Sequence, residues 1–270
     1  MGFLDMPKEQ EYTSALLNQH AIVTGASLGI GRAIVQELYR LGANVTLISR
    51  TESSLQEAVK LLPKMPDRDW CVAPADVTDP AALKAAVDAG QKKFGPATIL
   101  VNNAGAGEGI PFLKLDMAAW QRALDLNLTS AFVATQLVLP AMLKAGAGRI
   151  INLASVAGLK GVAYVTAYTT AKHGLVGLTR ALALECAKKG VTVNAVCPGY
   201  VDTPMIDKSV EEMVQKTSRP AEEIRKTLAS INPQGRFVKP EEVAAAVGWL
   251  CLPSAASING IALPIAGGEI

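Results

Sequence analysis

The sequence predicts an α/β fold in which one parallel β-sheet carries helices on both faces. Short apolar runs alternate with segments of helical periodicity along most of the 270 residues. These runs are almost continuously apolar, which is typical of strands that are buried on both faces of a sheet. No internal repeat or Pro/Ser-rich linker interrupts the alternation. We therefore expect a single domain over residues 1–270, preceded by an N-terminal extension over about residues 1–17.

The order of the elements supports this fold. The glycine-rich sequence after the first run and Gly42 at the end of the first helical segment mark two of the boundaries. Seven strands are predicted over residues 21–25, 44–50, 69–77, 97–105, 148–155, 191–199 and 260–268. Helices are predicted over residues 29–43, 51–62, 80–95, 117–145, 168–190 and 239–251. A charged stretch without a strand covers about residues 203–238, and we expect it to fold over a site as a substrate lid.

The composition excludes several classes of protein. Half of the residues are hydrophobic, 19% are charged and the net charge is +2 with no basic cluster, which argues against a nucleic-acid partner. We expect no apolar run of membrane-spanning length, and the start MGFLDMPKEQ has no apolar core typical of a secretory signal. The two histidines and four scattered cysteines show no metal-ligand spacing. We expect a cytoplasmic protein without a metal or a membrane partner.

The sequence TGASLGIG at residues 24–31 predicts a phosphate-binding turn. Gly25, Gly29 and Gly31 lie between the first strand and the first helix. Glycines allow positive φ and a close approach of a diphosphate, and the helix that follows presents free N–H groups. The Lys-Ser/Thr ending of a triphosphate-binding P-loop is missing. Taken alone, the motif is also compatible with a purely structural turn.

A tyrosine and a lysine lie one helical turn apart in TAYTTAKHG, residues 166–174. Tyr168 and Lys172 would leave the same face of a helix, and Ser155 lies thirteen residues before the tyrosine. A phenol can transfer a proton to or from a substrate oxygen if a nearby cation shifts its pKa toward neutrality. A surface pair and a helix-capping serine are the alternatives. The strand-end position of Ser155 favours a site, since ligands of doubly wound sheets bind there.

Six motifs in this order resemble the short-chain dehydrogenase/reductase family over about residues 18–268. They are TGASLGIG, NNAG (102–105), LNL (126–128), Ser155, Tyr168-x-x-x-Lys172 and PGYVDTP (198–204). The resemblance implies a Rossmann-like doubly wound sheet. It also implies an NAD(P)(H)-dependent oxidoreductase that interconverts a ketone and a secondary alcohol.

The resemblance further assigns roles to individual residues. Tyr168 would be the general acid/base, Ser155 would orient the substrate oxygen, and Lys172 would keep the phenol acidic and bind the nicotinamide ribose. Asn127 would hold a water that relays protons to Lys172. The residues expected to bind the cofactor are Gly25, Ser27, Leu28, Gly29, Ile30, Gly31, Arg50, Asp76, Val77, Asn103, Ala104, Gly105, Tyr168, Lys172, Pro198, Gly199, Val201 and Thr203.

The end of the second strand favours NADP(H) over NAD(H). NAD-preferring folds usually place an acid there, whereas an arginine suits a 2′-phosphate. This chain has Arg50 after Ser49 and no acid before Glu52. Leu28 stands where a second basic anchor is often found in the family. NADP(H) is therefore the expected cofactor, with NAD(H) as the alternative.

The substrate and the assembly are less defined. A 3-oxoacyl thioester competes with small non-thioester ketones, sugars or steroids. A non-catalytic dinucleotide-binding sensor and an epimerase or dehydratase are further alternatives. The sensor would be expected to lack Ser155, Tyr168 or Lys172, and the epimerase or dehydratase to carry an added domain. The resemblance also implies a homotetramer or homodimer formed through helices 117–145 and 166–189 and the last strand.

Overall fold

Seven parallel strands form one sheet in the computed structural model, which describes residues 14–270 apart from the side chains of Glu212 and Lys216. The strand order is β3-β2-β1-β4-β5-β6-β7. This order reverses direction between β1 and β4, so the doubly wound sheet predicted from the sequence is confirmed. The strands are β1 His20–Thr24, β2 Asn44–Ser49, β3 Trp70–Pro74, β4 Ile99–Asn102, β5 Gly148–Leu153, β6 Val191–Pro198 and β7 Ala262–Ile265.

Helices connect the strands and cover both faces of the sheet. Asp79 caps the third helix through hydrogen bonds from the N–H groups of Ala81 and Ala82, and Pro80 occupies the first helical position, where a missing N–H costs no helical hydrogen bond. The helices are α1 Gly29–Arg40, α2 Glu52–Val59, α3 Pro80–Phe94, α4 Met117–Leu124, α5 Ser130–Ala145, α6 Thr166–Cys186, α7 Pro204–Thr217, α8 Ala221–Ala229 and α9 Pro240–Cys251.

The core divides between the two faces because successive side chains of a strand point in opposite directions. Val23 packs in the cluster that contains α1 and α9, whereas its neighbour Ile22 packs in the cluster that contains α3 and α5. Leu16 is 2% exposed and its N–H donates to the Leu41 carbonyl. The folded part therefore includes the end of the predicted extension, and residues 1–13 of that extension lie outside the described residues.

The fourth and fifth helices form one continuous rod, joined by a π-helical turn at Asp125–Thr129. Among the described residues, the segment Met117–Ala145 is long and apolar enough to cross a membrane by length and composition, with a mean hydropathy of 1.5. This differs from the expectation that no segment reaches that length, because the polar residues of the rod do not interrupt the helix. Less than half of the most apolar part of this rod is buried inside the chain.

The segment predicted as a lid contains α7 and α8, which pack against each other through a small apolar cluster. Ile206 and Val210 on α7 meet Ile224 and Leu228 on α8. Arg225 donates to the carboxylates of Asp202 (2.8 Å) and Asp207. Part of the basic charge of this segment is therefore compensated within it.

Candidate active site

The glycine turn between β1 and α1 lies directly against the loop that follows β4. A Cβ atom on Gly25 would come within 2.8 Å of Asn103 Nδ2, and one on Gly31 within 2.1 Å of the Gly25 carbonyl oxygen. Gly25 and Gly29 have positive φ, at 64° and 51°. Only glycine tolerates this combination of backbone conformation and close approach. The predicted turn is thus a tight cradle of backbone atoms.

Hydrogen bonds between Thr24 and Asn103 join the two halves of the sheet at this point. The Thr24 hydroxyl accepts from the N–H groups of Asn103 (3.0 Å) and Ala104 (3.1 Å). Asn103 Nδ2 donates to the carbonyls of Thr24 (2.9 Å) and Gly25 (3.0 Å). Thr24 was not among the predicted site residues, although its position next to Gly25 was a usable signal. The pair holds the expected cofactor residues 103–105 against the glycine turn.

Two serines and an arginine gather at the end of β2. The hydroxyls of Ser27 and Ser49 are 3.0 Å apart, and Arg50 beside them is exposed. The pKa of Asp76 lies below its ordinary value, mainly because Thr78 donates to it from its N–H and hydroxyl groups, and to a smaller extent because of the charge of Arg50. Ser27, Arg50 and Asp76 are therefore brought to one place, as expected. The side chain of Val77 is buried in the core, so only its backbone is available to a ligand.

The cradle suits a dinucleotide diphosphate. Leu28, at the N-cap of α1, provides no side-chain hydrogen bond to the first turn of the helix, and no acidic residue lies in that turn. Uncapped N–H groups at the positive end of a helix are suitable donors to phosphate oxygens. Across the turn, a Cβ atom on Gly29 would come within 3.0 Å of the Thr203 methyl group. The residues present therefore match the group that the sequence implied.

Ser155, Tyr168 and Lys172 converge at the carboxyl end of β5. Lys172 is 3% exposed, and its Nζ donates to the Leu153 carbonyl at 2.7 Å and lies 5.5 Å from the centroid of the Tyr168 ring. The Ser155 side chain lies close enough to the Tyr168 phenol to lower its pKa, and its oxygen accepts from the Ala157 N–H at 3.1 Å. The structure thus brings together the three residues that the spacing singled out.

The protonation states differ in part from expectation. The resemblance implies that Lys172 shifts the pKa of the Tyr168 phenol toward neutrality. Instead, burial raises the pKa of Tyr168, and the nearby Ser155 side chain only partly opposes this effect. Burial also lowers the pKa of Lys172 to about 8. The reason is that removing solvent destabilises the charged form of each buried group, and the stabilisation of that form by nearby polar groups is smaller.

Asn127 occupies the π-helical turn between α4 and α5. Its side chain accepts from the Ala106 N–H (3.1 Å) and donates to the carbonyls of Ala106 (2.9 Å) and Ala123 (3.0 Å). A Cβ atom on Gly105 would come within 2.7 Å of Asn127 Oδ1 and 3.2 Å of Lys172 Nζ. Asn127 and Lys172 therefore flank Gly105. Both side-chain N–H donors of Asn127 are used by backbone carbonyls, so the expected water would have to bind another of its polar atoms.

The segment after β6 forms the remaining wall. Pro198 is buried and pairs with Ile265 of β7, and Val201 forms a bridge with Val238. Thr203 donates to the Val201 carbonyl at 3.2 Å and precedes α7. The pKa of the buried Cys197 thiol is raised to about 11, chiefly by burial, and its partners include Ser155 and Lys172. Cys197 is not among the predicted site residues, although its position next to Pro198 is a usable signal.

The described residues contain no group of three or more His, Cys, Asp or Glu side chains that could hold a metal ion. Most of the predicted site residues lie in the loops that follow strands or in the first two turns of the helices those loops enter, Pro198 ends β6, and Asn127 lies in the π-helical turn. Such an edge can hold an extended ligand across the crevice between β1 and β4.

Comparison with known proteins identifies the family. The sequence model for the short chain dehydrogenase family matches residues 19–214. The chain belongs to the short-chain dehydrogenase family. It is 43% identical over 251 residues, 92% of each chain, to a protein described as ketoacyl reductase 1 of the granaticin polyketide synthase of Streptomyces violaceoruber. It is 38% identical to a D-beta-hydroxybutyrate dehydrogenase of Cupriavidus necator, over 93% of this chain and 97% of the relative.

A solved structure supports the same assignment. A single-residue variant of the actinorhodin polyketide ketoreductase, crystallised with NADPH, is 39% identical, with a TM-score of 0.88 over 93% of this chain and 97% of that one. This short-chain dehydrogenase is therefore an oxidoreductase that interconverts a ketone and a secondary alcohol with a nicotinamide dinucleotide, as predicted. The alternative of a non-catalytic sensor is not supported.

We predict that Lys172→Met weakens the pH dependence of stability. Because burial lowers the pKa of Lys172 from 10.5 to about 8, the unfolded chain holds this proton at pH values where the native chain has lost it. The stability contributed by the neutral amine is therefore lost as pH falls from 10.5 to about 8. Between about pH 7.5 and pH 9.5 the wild-type free energy of unfolding should rise by about 2 kcal/mol relative to the variant.

Urea unfolding followed by circular dichroism at several pH values measures this difference. Lys84→Met is the matched control, because Lys84 is an exposed lysine paired with Asp88 on α3. The control should keep the wild-type slope. If the free energy of unfolding of wild type and Lys172→Met depended on pH in the same way, the lowered pKa assigned to Lys172 would be contradicted.

Proposed function

We propose that the protein is an NADPH-dependent reductase that converts the ketone of a 3-oxoacyl thioester into a secondary alcohol. The convergence of Ser155, Tyr168 and Lys172 beside the glycine cradle is the observation that carries the reaction type. The thioester is favoured by the relatives, which include the ketoacyl reductase 1 of the granaticin synthase and the actinorhodin ketoreductase.

Ser155 and Tyr168 act on the substrate oxygen. When bound, the dinucleotide supplies the hydride, and that chemistry belongs to the cofactor. The Ser155 hydroxyl orients the ketone oxygen by a hydrogen bond, and the Tyr168 phenol gives its proton to that oxygen as negative charge develops there. Because burial raises the pKa of Tyr168, the phenol keeps its proton at neutral pH. A protonated tyrosine suits reduction better than oxidation, since the latter needs a base.

Lys172 and Asn127 support this proton transfer. The Lys172 ammonium remains mostly charged below its pKa of about 8 and lies on the Tyr168 side of its helix. We assign to it the ribose of the bound cofactor and the stabilisation of the phenolate that forms when Tyr168 gives up its proton. Asn127 fixes the backbone at Ala106 and thereby the loop that faces Tyr168. Its proposed water would return a proton from solvent through Lys172.

The glycine turn and the end of β2 hold the cofactor. The first turn of α1 donates to the diphosphate, and residues 103–105 and 198–203 line the nicotinamide end. Arg50, with the hydroxyls of Ser27 and Ser49, forms the site for a 2′-phosphate. The NADPH in the actinorhodin ketoreductase structure supports the same choice of cofactor.

A second candidate is a reductase of small ketones that carry no thioester. The relationship to the D-beta-hydroxybutyrate dehydrogenase of Cupriavidus necator favours it. The lid adds little support for contacts with a phosphate of a carrier, because Arg219 and Arg225 form ion pairs with carboxylates in the lid or directly before it. Substrate comparison therefore decides between the two candidates.

We predict that 3-oxoacyl thioesters are better substrates than the matching free 3-oxo acids. A thioester buries its neutral acyl group without bringing a second charge to the site, whereas a carboxylate would have to be desolvated. The value of kcat/KM should be at least about tenfold higher for an acetoacetyl thioester of N-acetylcysteamine than for acetoacetate, with NADPH oxidation followed by absorbance. A preference for acetoacetate would favour the second candidate.

Replacement of Tyr168 by Phe should abolish most activity while leaving the cofactor site intact. Loss of a positioned general acid typically lowers the rate by about 10²–10⁴-fold. The kcat/KM of the preferred ketone measures the loss, and NADPH binding followed by its fluorescence is the control. A Tyr168→Phe enzyme with near wild-type kcat/KM would remove Tyr168 from the proposed role.

Arg50→Ala should shift the cofactor preference. A hydrogen bond between a guanidinium and a phosphate contributes about 1.5–3 kcal/mol, so kcat/KM for NADPH should fall by roughly ten- to hundredfold. The value for NADH, which lacks the phosphate, should stay within about twofold. An equal loss with both cofactors would show that Arg50 does not read the 2′-phosphate.

We also propose that the enzyme is a cytoplasmic homotetramer or homodimer. Exposed apolar side chains on the long helices, among them Phe132 (44% exposed) and Leu184 (82% exposed), need a covering surface in water. A second copy of the chain supplies one, and it would also cover the apolar rod of α4 and α5. Light scattering at micromolar concentration should report a dimer or tetramer, and Leu184→Glu should shift it toward the monomer. A monomeric wild type would contradict the proposal.

A further inference from the structure

The last residues of the chain place a buried carboxylate beside the active site. The side chain of Glu269 is 5% exposed, and its Oε1 lies 3.0 Å from the ammonium of Lys160. Its Oε2 is buried without a hydrogen-bond partner among the described residues. A buried carboxylate is costly unless a cation compensates it, so the pair with Lys160 is what makes this position tolerable.

Two glycines direct this carboxylate to the wall of the site. Gly267 and Gly268 follow β7 with φ of 61° and 95°, and the Glu269 N–H donates to the Ala266 carbonyl at 3.2 Å. The resulting turn folds the chain back on itself. A Cβ atom on Gly199 would lie 2.9 Å from Glu269 Oε2, and the Gly199 N–H donates to the Ile265 carbonyl at 3.1 Å. Glu269 therefore packs directly on the segment expected to face the nicotinamide.

Lys160 connects the same carboxylate to Ser155. Lys160 ends a short helical turn in which its N–H donates to the Val156 carbonyl (3.0 Å) and the Gly158 N–H donates to the Ser155 carbonyl (2.8 Å). The turn rests on α6, because a Cβ atom on Gly158 would come within 2.8 Å of the Lys172 carbonyl oxygen. Little space is left for the turn to move without moving Ser155.

The negative charge of Glu269 also affects the tyrosines near the site. Burial, and then the negative charge of Glu269, raise the pKa of Tyr200. Tyr200 in turn belongs to the surroundings that raise the pKa of Tyr168. These contacts are electrostatic and act in addition to the packing of Glu269 on Gly199.

We propose that Lys160 and Glu269 are a positioning pair for ketone reduction: their ion pair clamps the turn after Ser155 against the segment 198–200 and so holds the Ser155 hydroxyl at Tyr168. Neither residue contacts the reacting atoms. The inference rests on the proposed function for its effect on the rate, but the clamp itself is a property of the folded chain. Only Glu269 of the pair lies beyond residues 19–214, which the family model matches, because the last turn contributes it.

Glu269→Gln tests the proposal with almost no change of shape. Loss of the charge should release the turn and lower kcat at least about tenfold, because small displacements of a positioned group have large effects on rate. The KM of the ketone should change by less than about threefold, since the pair does not touch the substrate. Lys160→Met should have the same effect, whereas Lys160→Arg, which keeps the positive charge, should retain most of the wild-type activity. Lys84→Met, in the exposed pair on α3, is the matched control and should behave as wild type.

A double-variant comparison separates positioning from general stabilisation. If the pair acts through Ser155, Glu269→Gln should cause little further loss in a Ser155→Ala background, because the group it positions is already gone. A full additional loss in that background would overturn the proposal. So would an unchanged kcat in Glu269→Gln, or a loss that only follows a lower melting temperature.

Hydrogen exchange measured by mass spectrometry provides a readout that does not depend on activity. Glu269→Gln should increase deuterium uptake in peptides covering 156–160 and 198–200 and leave β1–β4 unchanged. A wild type that reduces no ketone would contradict the proposed function, and the exchange data would still test the clamp. Unchanged uptake in both peptides would overturn it.

Discussion

The parallel pairing of β1 with β4 is the constraint on which the rest of the structure depends. Residues 21–23 pair with 99–101, so the two strands end at the same edge and their loops meet. Thr24 and Asn103 then exchange hydrogen bonds across the junction. The crevice between these loops opens because the chain turns to opposite sides from this pair of strands. The glycine cradle and the candidate catalytic residues are assembled around it.

Burial sets the chemistry at the other end of the crevice. The backbone carbonyl of Leu153 accepts a hydrogen bond from the buried ammonium of Lys172, and the phenol of Tyr168 is buried near Ser155. In such surroundings the neutral forms of both side chains are favoured relative to the same groups in water, because solvent no longer stabilises their charged forms. The protein alone therefore keeps Tyr168 protonated and makes Lys172 easier to deprotonate than a solvent-exposed lysine. This state suits a site that gives a proton to a developing oxyanion.

Much of the fold and of the candidate site could be predicted because its signals are local. The strands are apolar runs, and the glycine turn and the Tyr168-x-x-x-Lys172 pair each lie within one short segment. Their contacts follow from helical and strand geometry. The direction of the Tyr168 pKa could not be predicted, since it depends on how much solvent the folded chain removes. Likewise, no local signal connects Glu269 with Lys160, which is 109 residues earlier in the chain.

The sequence by itself determined the class of the sheet, the order of its elements, the candidate reactive groups and the kind of cofactor, because residue type and spacing are properties of the chain. Only the tertiary structure decided how those groups are protonated and held. Leu153 contributes a carbonyl, Thr24 a hydroxyl and Glu269 a carboxylate, each to a partner that is distant in the sequence. Solvent exclusion and long-range packing create these contacts, and neither exists until the strands have come together.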